Sequence, residues 1–250
     1  MIRLSDEAIL ALDPRRELAR IRAALDERLA RGAPLEPVLR ALAERDRVAL
    51  AELLVGPRAR ADGAMTRTAL SVVDQLERAI APSALYRRLV DISADAGLDV
   101  LSTAVKRHPD AEWLVGLSAR VEGPWAGLTH LRASAERASF PVVCRAYARR
   151  GARPAMVQVI VESGASEPLV AFVQEGDREA LVAGAAALLQ NHPESPTVAL
   201  LAALWGPDLD PLLTDIVGAI DSDAGLHALS RQARAHAGAA ARISRRLART

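Results

Sequence analysis

Four arginines, Arg145, Arg149, Arg150 and Arg153, form a compact basic group in the middle of this chain. Residues 145 and 149 are four apart and share a helix face, and 150 and 153 follow where that helix should end. Guanidinium groups in such an array present forked donors suited to phosphate or carboxylate oxygens. The same array also suits a helix C-terminus, whose dipole favours cations. These four are the candidate binding residues, with the capping role as the competing explanation.

Other chemistry is sparse. The chain has no Gly-rich Lys-Ser/Thr phosphate loop, no G-x-G-x-x-G, no H-E-x-x-H and no G-x-S-x-G. Its five histidines, 108, 130, 192, 227 and 236, never fall three or four apart, so no helix presents two as metal ligands. Asp91, Asp95 and Asp99 have the spacing of one helix face, but Gly97 should interrupt it. The pairs Asp208/Asp210 and Asp221/Asp223 sit beside expected helix starts, where capping explains them. Cys144 is the only cysteine and lies among apolar residues, as a buried structural thiol would. The reading therefore assigns no catalytic residue, no metal and no cofactor, and leans away from an enzyme. An active site assembled from scattered carboxylates and arginines stays open as a third possibility.

The net charge is only +1, yet it is unevenly spread. Residues 115–153 carry seven arginines and two acids, residues 154–230 carry eleven acids and one arginine, and residues 231–250 carry six arginines and no acid. Such asymmetry bears on partners rather than on fold.

The elements that must position these residues read as helices from end to end. Half the chain is hydrophobic, supplied mainly by Ala and Leu, and only 3% is aromatic, a balance that favours helix over strand. Periodicity and breakers predict about 12 to 15 helices, among them 64–80, 82–95, 97–107, 109–122, 124–138, 140–150, 154–163, 166–175, 177–191, 194–205, 208–221 and 223–248. The β-branched runs at 141–143 and 156–161 are kept helical because no partner strand is visible. Short links make neighbouring helices antiparallel.

One hairpin is written twice, from His108 to Ser139 and from His192 to Ser222, with His-Pro starts 84 residues apart and Gly-Pro breaks at 123–124 and 206–207. Pro109 and Pro193 should open the first helix of each copy. Leu114, Leu117 and Val121 correspond to Val198, Leu201 and Trp205 at core-facing spacings. These copies resemble the helix-turn-helix units of HEAT and tetratricopeptide repeats at the level of architecture, over about 60 of the 250 residues. The resemblance implies an all-α fold of stacked antiparallel hairpins, an α-solenoid, and the 84-residue offset fits two HEAT-sized units of about 42. The polar stretch 58–63 separates an expected N-terminal helical segment, 1–57, from a repeat region, 64–250, that ends in a basic helix.

In function the pattern points to a non-enzymatic protein-interaction scaffold or adaptor. The alternative is a nucleic-acid-binding or HEAT-like DNA-repair protein using the Arg-rich 120–153 surface, with Trp113, Trp125 and Tyr147 nearby. The longest apolar run, 180–189, is too short to span a bilayer, and acids interrupt the N-terminal apolar stretch, so a cytoplasmic protein without a membrane span is expected. A seam of Leu226, Leu229, Ala233, His236, Ala240, Ile243 and Leu247 could pack internally or hold a second copy of the chain through 226–247. The opposite face of that segment carries Arg234, Arg242, Arg245 and Arg249.

Overall fold

The computed structural model describes residues 4–249, and of Pro207 only the backbone. Among the described residues there are eighteen α-helices, three 3-10 turns and no strand. The all-α reading holds, including for 141–143 and 156–161, both of which are helical. The chain divides into two compact units, one ending at His108 and one beginning at Pro109.

The first unit holds α1 (Asp6–Ala11), α2 (Leu18–Ala30), α3 (Glu36–Arg45), α4 (Arg47–Val55), α5 (Gly63–Ser71), α6 (Val73–Leu76), α7 (Pro82–Ile92) and α8 (Gly97–Arg107). Each helix packs on its neighbour or on the next but one, as with α1 on α3, α2 on α4 and α5 on α7. Asp46 and Asp62 cap α4 and α5 by accepting backbone N–H groups of the first turn. Residues 58–63 lie inside this unit, between α4 and α5, which pack together. The expected helix 64–80 breaks at buried Val72, whose backbone leaves helical geometry.

The second unit is a stack of five hairpins: α9 (Trp113–Glu122) with α10 (Leu128–Ser134), α11 (Phe140–Ala148) with α12 (Arg153–Ser163), α13 (Glu167–Gln174) with α14 (Arg178–Asn191), α15 (Thr197–Trp205) with α16 (Leu209–Ala219), and α17 (Asp223–Gln232) with α18 (Ala237–Leu247). The second helices pack in succession, α10 on α12, α12 on α14, α14 on α16 and α16 on α18, while α11, α13, α15 and α17 do the same in the other layer. No hairpin could bury its apolar stripe alone, and the stack makes one continuous core from Val115 to Ile243. In α14, a Cβ on Gly184 would meet Leu169 and Ile160 side chains at 2.8 and 3.0 Å, so its bareness lets that helix seat between its neighbours.

The first helices begin at residues 113, 140, 167, 197 and 223, 26 to 30 residues apart. The 84-residue offset thus spans three hairpins rather than two units of about 42. The two copies are the first and fourth hairpins, each carrying a 3-10 turn, Gly123–Trp125 or Gly206–Asp208, before its second helix. Gly123 and Gly206 open those turns with positive φ, where L side chains are strained. Leu114, Leu117, Val198 and Leu201 are buried as matched core positions.

Other expectations need correction. Pro109 and Pro193 do not open helices, because α9 and α15 begin at Trp113 and Thr197. The preceding histidines instead end α8 and α14, each donating its backbone N–H to the carbonyl four residues back. The expected helix 223–248 is broken between Gln232 and Ala237. Asp210 of α16 causes the second start: its Oδ1 accepts the Ala239 N–H at 3.3 Å, and its carboxylate lies where a Cβ on Gly238 would be.

Candidate interaction site

The four candidate arginines lie at the end of α11 and the start of α12, and three of them reach into the next hairpin. Arg145 Nε donates to Gln174 Oε1 at 2.7 Å, Arg149 Nε to Glu175 Oε1 at 3.0 Å, and Arg153 to Asp177 and Glu179 at 2.6 and 2.7 Å. Asp177 also caps α14 through the Ala180 N–H. Arg150 is exposed beside the Gly151 turn. The group therefore straps α11 and α12 to α13 and α14. Pairs this exposed are screened by water and add little to stability.

The same geometry accounts for most of the charge switch near residue 154. Of the eleven acids in 154–230, seven are paired with arginine: Glu162 with Arg132, Glu175 with Arg149, Asp177 and Glu179 with Arg153, Asp215 with Arg178, Glu194 with Arg231 and Asp221 with Arg246. Arg132 and Gln158 hold the Glu162 carboxyl down to about 2. The sequence blocks look like opposed surfaces for partners, but folding sets one against the other inside the stack.

The last hairpin differs. Its seam is covered within the chain, since Leu226, Leu229, Ala233 and Ile243 are all buried. Beside it, Arg242, Arg245, Arg246 and Arg249 of α18 and the end of that chain segment line a cavity of about 270 Å³ with Val217 and Gly218 of α16. Arg246 donates to the Val217 and Gly218 carbonyls and lies 3.8 Å from Asp221. Arg245 donates to its own helix at Ala241 O. Among the described residues, the side chains of Arg242 and Arg249 have neither a hydrogen bond nor an ion pair, although the Arg249 backbone N–H donates to Arg246 O. Arg246 falls between the two faces that the sequence defines in this segment, and the lack of any acid after residue 230 is the signal that points to it.

Two buried polar networks are structural in form. In the first unit, Glu77 accepts from Tyr86 Oη at 2.8 Å, from Arg107 Nη2 at 2.7 Å, and pairs with His108 Nε2 at 2.8 Å. Burial alone would raise the Glu77 carboxyl, but these donors hold it down to about 2. In the second unit, His130 Nε2 donates to Pro109 O at 2.6 Å, leaving Nδ1 to accept from Tyr147 Oη at 3.1 Å. Burial lowers the His130 pKa and keeps this imidazole neutral. His192 has the place of His108 three hairpins on, and bonds Val161 O at 3.0 Å. Cys144 is fully buried, and burial pushes its thiol up, away from reactivity. Asp99 lies in the first turn of α8, and Asp95 lies in the 3-10 turn before it, so the three aspartates 91, 95 and 99 do not share one helix.

Among the described residues no group of three or more His, Cys, Asp or Glu side chains is placed to hold a metal ion. No helix of the described chain is long and apolar enough to cross a membrane. Comparison with protein-family models, with curated proteins and with solved structures finds no match.

Proposed function

We propose that this protein is a non-enzymatic interaction module, working in the cytoplasm, in which stacked helical hairpins form a scaffold for a protein partner. The partner presents an acidic segment to the arginines of α18. The observation that carries this reading is the contrast between two arginine groups. Arg145, Arg149 and Arg153 face polar or acidic side chains of the next hairpin, whereas Arg242 and Arg249 border a cavity with no such partner among the described residues. Cationic charge gathered at one cavity and left without acidic partners there favours association at that cavity. The nucleic-acid alternative draws on residues 120–153, and Arg132, Arg145, Arg149 and Arg153 in that stretch are engaged with Glu162, Gln174, Glu175, Asp177 and Glu179.

Affinity enrichment from the native host tests the reading with three forms of the protein: wild type, Arg145→Ala/Arg149→Ala, and Arg242→Glu/Arg249→Glu. A partner recovered in near-stoichiometric amount by the first two and lost with the third is the expected result. Recovery of no such protein, or equal recovery by all three, contradicts it. Salt-sensitive retention on DNA or RNA that depends on Arg145 and Arg149 would favour the nucleic-acid alternative.

A further inference from the structure

We infer that the α18 cavity is a site for a phosphoryl group, carried either by a free phosphate compound or by a phosphorylated side chain of the partner. This deepens the proposed interaction reading and rests on it for the partner's acidic character.

The inference starts from the convergence of charge. Arg242, Arg245 and Arg246 of α18 and Arg249, two residues past its end, stand at i, i+3, i+4 and i+7, and all four line one cavity of about 270 Å³. An extended acidic peptide calls for cations strung along a groove. Arginines gathered around one open cavity, with the Arg242 and Arg249 forks uncommitted, instead suit one dense oxyanion with several acceptor oxygens.

Charge balance gives the same result. The cavity adjoins the C-terminal ends of α16 and α18. Each helix end contributes about half a negative elementary charge. Asp221 supplies one more, 3.8 Å from Arg246. Against four guanidiniums this leaves an excess of about two positive charges. A phosphate monoester carries about −1.5 to −2 at neutral pH, and a side-chain carboxylate at most −1. The helix-end role that explains Arg246, which donates to Val217 O and Gly218 O, does not extend to Arg242 and Arg249. Beside them Gly218 leaves open space, since a Cβ there would meet nothing within 4 Å.

Calorimetric titration of the full chain tests the inference with three probes: inorganic phosphate, a short neutral peptide bearing one phosphoserine, and the same peptide with glutamate in that place. Phosphate and phosphopeptide should bind and compete, with the glutamate peptide roughly tenfold or more weaker. Arg242→Glu/Arg249→Glu should weaken both phosphoryl probes by roughly ten- to a hundredfold. Gly218→Glu adds a carboxylate at a cavity-lining position where a Cβ meets nothing within 4 Å and should do the same, while Gly218→Ala keeps binding, and circular dichroism verifies the fold of each. A phosphopeptide tighter than phosphate marks the partner as the source, and equal affinities mark a free phosphate compound. A glutamate peptide that binds as tightly as the phosphopeptide overturns the inference while leaving the acidic-partner reading intact. No binding of either phosphoryl probe, or binding unchanged by both charge variants, also overturns it.

Discussion

Replacing Glu77 with glutamine removes the charge at the centre of the first unit's polar network while keeping its shape. The carboxyl is held at about 2 against an ordinary value of 4.5, because Arg107, His108 and Tyr86 donors outweigh its burial. At 1.36 kcal/mol per tenfold, that difference corresponds to about 3 kcal/mol favouring the ionised folded form. The Arg107 side chain is 37% exposed, so water screens part of this, and about 2 kcal/mol is the expected contribution. Its sign follows from a folded value below the unfolded one. The stabilisation is complete above about pH 4.5 and is lost as pH falls towards 2. Urea unfolding followed by circular dichroism reads it directly. At pH 7, Glu77→Gln should lower the midpoint of the transition that includes the first unit by about 1 M, for a slope of about 2 kcal/mol per molar. The gap between wild-type and variant curves should narrow below about pH 4.5, be clearly smaller at pH 3 and close towards pH 2, and subtracting one from the other cancels the other titrating carboxylates. Equal stability at pH 7, or a gap that stays constant from pH 7 to pH 3, would refute the reasoning.

Three further expectations concern the second unit. Gly127 has φ +102°, and a Cβ there would stand 2.6 Å from the Tyr147 ring; Gly127→Ala should cost roughly 3 kcal/mol or more in denaturant unfolding, against about 1–2 kcal/mol for Gly32→Ala, where only the positive φ matters. His130→Ala leaves the buried Tyr147 hydroxyl and Pro109 carbonyl without their partner and should cost roughly 3 kcal/mol. Because burial depresses the His130 pKa, its contribution to wild-type stability should be full above about pH 6.5 and fall as pH drops below that value, a slope the variant lacks. Arg153→Ala removes only exposed pairs to Asp177 and Glu179, so its thermal midpoint should stay close to that of wild type, and its affinity for phosphate should equal that of wild type.

The helices were legible because their signals are local. Pro82 at the start of α7, Asp46 capping α4 and Gly164 ending α12 act within a turn of their own position. The failures come where another part of the chain captures a backbone or side-chain group. The Pro109 carbonyl is taken by His130, and the Ser195 carbonyl by Gln232, so the segments after His108 and His192 are turns rather than first helical turns. Asp210 restarts the last helix from 29 residues away. The hairpin pattern was visible at the first and fourth hairpins of the second unit, because only those two share the Gly-Pro turn. The intervening hairpins at α11 and α13 lack it, which made three units look like two.

The arginines of 145–153 were legible as a group but not as a strap, since nothing local shows that Gln174, Glu175 and Asp177 return to meet them. Uncompensated charge is likewise a property of the folded stack: Arg178 and Arg242 look alike in sequence, yet one meets Asp215 and the other borders an open cavity.

The contrast between the arginines that strap the hairpins and those that line the α18 cavity is tested most directly by crystals soaked in tungstate, a tetrahedral dianion visible by anomalous scattering. The account predicts a peak between the Arg242 and Arg249 guanidiniums, beside Gly218, and none along Arg145, Arg149 and Arg153. A peak at the latter group, with the α18 cavity empty, would contradict it.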